Sequence, residues 1–248
     1  SNEISQKPRF SICSRKQYFS SLCNSSRLPS TLMPIAFGAS TGQEFAAATS
    51  YTLTNVAADG SDKYAIVGVF IRSSTGTITG VTFNSVAMTN LGSGYNATAN
   101  TRSYIWGLAN PTTGDVVVTG DTSLVAEVIV SIYTGVAQSS STGTFASASG
   151  LGTDVTVDVT SATNELVVDM HAEKTTNDST VGAGQTLRKR SPASGDGDPG
   201  TLYTSDEAGA ATVTMSWTQG TSDQWVTAAV PMKPVAATAT NHWLLMGV

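Results

Sequence analysis

The chain has 248 residues, room for one large or two small domains, and only 12% of them are charged. That density is about half the usual quarter and excludes a coiled coil or a charge-driven disordered chain. A net charge of -5 argues against a nucleic-acid binder working through a broad basic face, and no apolar run of about 18 residues marks a membrane span.

Residues 1–32 differ from the rest. Lys7, Arg9, Arg15, Lys16 and Arg27 face one acid, Glu3, and both cysteines, Cys13 and Cys23, lie here. Three readings stay open: an extension foreign to the mature protein, which would then begin at Met33; a basic arm that contacts a partner; or a cleaved targeting segment. A secretory signal fits poorly, because no apolar stretch of about 7–15 residues is present. The domain boundaries expected are therefore residues 1–32 as arm or extension, 33–234 as a β domain, and 235–248 as a linker with an apolar tail (His242–Met246).

Short stretches rich in Val, Ile, Thr, Phe and Tyr then alternate with Gly, Asn, Asp and Ser breaks, which is the signature of strands and turns. Strands are predicted at Lys63–Arg72, Thr77–Phe83, Val86–Thr89, Arg102–Ala109, Asp115–Thr119 and Val125–Thr134. Further strands are predicted at Asp154–Thr160, Glu165–Ala172, Ala211–Thr218 and Gln224–Met232. Phe83–Val86 reads as a tight hairpin. Asp154, Thr156 and Asp158 alternate with Val155, Val157 and Val159, so one face is wet and the other packed. Helix is expected to be scarce, since no long window shows a 3.6-residue repeat. Ser139–Gly152 and Ser191–Gly200 read as long loops, and no repeat sets a period. The fold class expected is all-β: a two-sheet, jelly-roll-like β-sandwich with a non-globular N-terminal segment.

Candidate chemistry is sparse. Gly38, Ser40 and Gly42 match the G-x-S-x-G elbow, but the strand before it and helix after it that the motif requires are not legible. Asp169, His171 and Glu173 alternate along one strand, a pattern suited to metal binding or acid–base work. The plainer reading is a solvent-facing polar row opposite Val168, Met170 and Ala172. Asp169 and Glu173 are four residues apart, so their Cα atoms stand about 13 Å apart, too far for a retaining glycosidase pair. No catalytic residue is assigned, and the chain is read as a non-enzyme.

Asp196-Gly197-Asp198, in a Gly/Pro loop, suits a shared calcium ion, the one cofactor the sequence suggests. Of the aromatics, Trp106 and Trp217 read as core. Tyr95 and Trp225 lie by turns, where exposed rings would stack on sugars. Arg188-Lys189-Arg190 reads as a solvated basic edge.

Several segments together carry a resemblance: Tyr64–Phe70, Gly80–Thr89, Tyr104–Pro111, Val130–Gln138, Glu165–Asp169 and Ala228–Pro234. Over roughly residues 50–234 the chain resembles a loosely defined β-sandwich domain of phage virion and bacterial surface proteins. The resemblance implies a non-catalytic, jelly-roll-like module for structure or adhesion, located in a virion or at an extracellular surface. Its partners would be further copies of itself, other structural proteins, or cell-surface glycans. It transfers no functional residue.

Overall fold

A computed structural model describes residues 34–175, 178–191 and 200–236. Among these residues the protein is all-β, with two antiparallel sheets packed together and no helix. No helix of the described residues is therefore long and apolar enough to cross a membrane. The expected arm (residues 1–32), the calcium loop with Asp196 and Asp198, and nearly all of the C-terminal tail lie outside the described residues.

The first sheet holds seven strands: β1 (Ala36–Val56), β2 (Tyr64–Arg72), β3 (Ile78–Phe83), β4 (Val86–Ala87), β5 (Thr89–Asn96), β6 (Thr101–Ala109) and β7 (Gly114–Thr134). The second holds six: β8 (Ala146–Thr160), β9 (Leu166–Glu173), β10 (Ser179–Val181), β11 (Thr186–Arg190), β12 (Thr201–Ala208) and β13 (Thr212–Met232). Local rules explain many of these elements. Tyr64–Ile71 is buried throughout because β2 has packed layers on both faces, so its sequence is a continuous apolar run. The β3–β4 hairpin turns on Asn84 and Ser85, both with positive φ (45° and 65°), the primed turn whose twist matches its strands.

Three expectations need correction. Residues 36–56, for which no strand was expected, form one long strand that includes Ser40. Residues 146–152 are strand rather than loop, and Thr201–Ala208, for which no strand was expected, is a buried strand.

The chain also contains a repeat, not in its letters but in its pairing. In the first sheet β7 pairs with β1, β2 and β3, β2 pairs with β6, and β6 pairs with β5. In the second, β13 pairs with β8, β9 and β10, β9 pairs with β12, and β12 pairs with β11. Strand for strand these are one topology used twice, with β4 as an addition to the first copy. The registers agree as well. Tyr64–Ile71 meets Ala126–Tyr133 over eight consecutive rungs, and Leu166–Glu173 meets Trp225–Met232 over eight. One tertiary hydrogen bond recurs: Tyr104 Oη accepts from Ile78 N–H at 3.4 Å, and Tyr203 Oη accepts from Ser179 N–H at 3.2 Å.

Each sheet curls over its own interior, because its long strand bends and pairs with different partners along its two halves. The first interior holds Val67, Val69, Trp106, Val118 and Val130. The second holds Val157, Val213, Tyr203 and Trp217. A third core lies between the sheets, where Ile66, Phe70 and Ile129 meet Val168, Met170 and Val230. The contacts there are reciprocal: β6 on β9 is matched by β2 on β12, and β7 on β12 by β6 on β13. That is the pattern of a two-fold, isologous interface built within one chain. Gly68 and Met170 hold equivalent positions and touch. A Cβ on Gly68 would run into the end of the Met170 side chain, which would have to shift to admit it.

Candidate functional site

The row Asp169–His171–Glu173 does not face solvent. All three side chains are fully buried, on the face of β9 that lines the second interior. The eight-rung alignment gives their counterparts in the first repeat as Val67, Val69 and Ile71, all core residues. A polar row thus occupies, in one copy of the fold, the place of an aliphatic row in the other.

The row is held by other strands. Asp169 Oδ1 accepts from the Ser205 N–H (3.0 Å) and the Ser205 hydroxyl (2.7 Å), and Oδ2 accepts from the Trp217 indole N–H (2.6 Å). Gln185 Nε2 donates to Ser205 Oγ at 2.8 Å, leaving that hydroxyl's proton for Asp169. Glu173 accepts from the Tyr203 phenol and the Ser179 hydroxyl, each at 2.8 Å. The His171 ring stacks against Trp217 (5.1 Å) and Tyr203 (5.8 Å), and neither of its nitrogens has a hydrogen-bond partner. Opposite it on β13, Thr227 Oγ1 is likewise buried and without a partner.

Burial dominates the electrostatics, because low polarity disfavours whichever form is charged. It pushes the Asp169 carboxyl up to about 7, against the pull of its Trp217 and Ser205 donors. Burial also lifts Glu173 to about 7, against Tyr203, Ser179 and the Arg190 charge. His171 is pushed down to about 3 by burial, so its imidazole is neutral at physiological pH. Tyr203 is raised, first by burial. Three donors on Asp169 suit an ionised carboxylate, so geometry and burial oppose each other and leave this carboxyl poised near neutrality.

What the cluster can do is hold or release protons. Among the described residues no group of three His, Cys, Asp or Glu side chains is placed to share a metal ion. A groove of about 260 Å³ does open at the surface, but on the first sheet, between the two halves of β1. Leu53, Val56, Val130 and Ile132 are among its lining residues, and no titratable side chain is.

The remaining sequence candidates are not brought together. Ser40 sits within β1, with neither the turn nor the helix of a nucleophile elbow, and its hydroxyl donates to Val130 O at 3.0 Å. Trp225 is buried rather than exposed, on the second interior, as are Trp106 and Trp217 in their cores. Tyr95 is 36% exposed, but Arg102 lies over its ring at 3.9 Å. Arg188-Lys189-Arg190 does form an edge strand, with Arg188 bidentate to Asp206 (2.6 and 2.8 Å) and Arg190 paired to Asp178.

Sequence reasoning missed Ser179, Tyr203 and Ser205 as partners of the row. Their strands are polar on both faces, so only the pairing reveals them. Family models, curated proteins and solved structures were all compared with this chain, and none matches it.

Proposed function

We propose that this chain is a non-enzymatic structural or assembly protein, a component of a virion, surface layer or fibre that acts through protein–protein contacts. The observation that supports this reading most directly is an uncharged stretch of sheet edge with an exposed leucine. Strand β8 pairs only with β13, and residues 146–153 carry no charge. In their midst Leu151, between two glycines, is 66% exposed. Sheet edges that must stay single are usually short or charged. Here β4 and β10 have two and three residues and β11 carries three bases, whereas residues 146–153 of β8 have neither protection and, like the uncharged edge strand β5, meet only the bonds of Ser149 and Gly150 to Tyr95 and Asn96. A second copy of the chain is the partner that suits such an edge. Antiparallel pairing about Leu151 would bring together uncharged small residues and one apolar pair.

The alternative is a carbohydrate-binding or adhesive module. Three of the four tryptophans are buried and Arg102 covers a face of Tyr95, so the described residues provide little aromatic platform.

Light scattering on a sizing column, over a concentration series, tests the reading. The expected result is concentration-dependent growth in mass that Leu151→Lys abolishes without changing the circular dichroism spectrum. A monomer at every concentration, together with binding on a glycan array, would favour the alternative.

A further inference from the structure

The first interior opens to the surface at a place where the second is packed. Its groove of about 260 Å³ runs between two stretches of β1, within residues 39–43 and 53–57. Thr41 and Gln43 stand on the rungs of Val130 and Val128, so they share the inner face of the sheet, yet both are exposed. The eight-rung alignment makes Val130 and Val128 the counterparts of Ala229 and Thr227, whose partners on β8 are Ala146 and Ala148. Both alanines pack on the core around Val157, Val159 and Val213.

The other wall of the groove differs from its counterpart by one residue. Leu53 and Val56 pair with Val116 and Gly114, so Thr54 and Asn55 together oppose Asp115 in a bulge. Asn55 is left-handed there (φ 52°), and its N–H donates to the Asp115 carboxylate at 2.8 Å. At the matching place Val157 and Val159 pair with Met215 and Val213 along an unbroken ladder. Bulges collect at barrel rims and beside binding sites, where they re-aim side chains.

The walls set the chemistry of a guest. Leu53, Val130 and Ile132 are buried and make an aliphatic floor, whereas Thr41, Gln43 and Asn55 are exposed and bring a hydroxyl and two amides to the rim. No titratable side chain lines the groove, so an ion entering it would lose water without gaining a counter-charge. The volume falls just below the range of about 300–1,000 Å³ that takes a drug-sized molecule, and barrel mouths are a preferred place for such sites.

We propose that this groove binds a small uncharged amphiphile, its aliphatic body on Leu53, Val130 and Ile132 and its one hydroxyl or amide group held by Gln43 and Asn55. The site does not involve the β8 edge, so it is independent of self-assembly.

The test is an NMR titration of the full chain, methyl-labelled at Ile, Leu and Val, with cyclohexanol. Saturable shifts are expected at Leu53, Val130 and Ile132 and not at Val157 and Val159. Cyclohexanecarboxylate and cyclohexylammonium, similar in shape but charged, should need at least about tenfold higher concentrations. Thr41→Phe, which fills the mouth, should abolish the shifts. Asn55→Gly, which keeps the left-handed backbone, should weaken binding about threefold or more, the loss of one hydrogen bond. The proposal would be overturned by the absence of saturable shifts at the groove, by equal shifts at Val157 and Val159, or by charged analogues that bind as well. Shifts that survive Thr41→Phe, or unchanged binding in Asn55→Gly, would also overturn it.

Discussion

The two halves of this protein have one pairing scheme and enclose different things. Around β2 the frame is filled by Val67, Val69 and Trp106; around β9 the same rungs hold Asp169, His171 and Ser205. The backbone ladder is indifferent to this exchange, since every rung is satisfied in both. The side chains are not. Aliphatic residues need only fill volume, whereas each polar residue needs a partner supplied by another strand. The common frame therefore rests on register and on the core between the sheets, and the interiors are free to specialise.

Among single truncations the largest expected effect is at Trp217, which fills the second interior and donates to Asp169. Trp217→Ala should cost about 4 kcal/mol in a denaturant titration. Trp217→Phe, which leaves most of the volume, should cost only about 2 kcal/mol, the value of a buried donor lost to a carboxylate.

Next is the contact between the halves. Gly68→Val places a methyl-bearing carbon against Met170 at the two-fold and should cost about 2–3 kcal/mol by overpacking. The Met170→Ala change should relieve part of that cost, and a double-mutant cycle would measure the coupling.

The pH dependence comes third. Asp169 and Glu173 have folded values raised to about 7, so the stability they contribute is present below about pH 4 and is lost as pH rises through 7. His171 has a folded value lowered to about 3, so its contribution is present above about 6.5 and is lost as pH falls through 3. Two carboxyls outweigh one imidazole across the overlap. The row should make the protein about 2–3 kcal/mol more stable at pH 5 than at pH 8, with a decline towards pH 3. Thermal melts in matched ionic strength would show it, and a flat profile between pH 5 and 8 would count against the burial argument.

The smallest effect compares the equivalent tyrosines. Both phenol oxygens accept a backbone N–H, but only Tyr203 also donates, to Glu173. Tyr203→Phe should therefore cost about 1–2 kcal/mol more than Tyr104→Phe.

Much of the frame could be read from the letters. The apolar run of β2, the alternation of Asp154–Thr160 and the turn at Asn84-Ser85 each state their structure locally. Strand β12 could not be read, because Thr204, Ser205 and Asp206 look like loop residues and are buried only through partners elsewhere in the chain. Strand β1 was obscured by its small residues, whose strand character comes from pairing with β7. The repeat was hidden for a related reason. Its two copies agree in register and at Tyr104 and Tyr203, yet differ in character at Val67 and Asp169, Val69 and His171, and Ile71 and Glu173. The Asp169–Glu173 row was visible as a pattern, but alternation alone cannot say whether a polar face meets water or a second polar surface.

One reciprocal exchange tests the central claim of a common frame with specialised interiors. Val67→Asp and Asp169→Val each place one repeat's residue in the other, and their denaturation midpoints can be measured side by side. At Val67 an aspartate would meet Trp106 and Val118 where Asp169 meets Ser205 and Trp217, so it would have none of those donors. Val67→Asp should unfold the protein or lower the midpoint severely. Asp169→Val, which keeps the frame but orphans three donor groups on Ser205 and Trp217, should cost less, about 3–4 kcal/mol. Equal costs, or a greater loss from Asp169→Val, would contradict that claim.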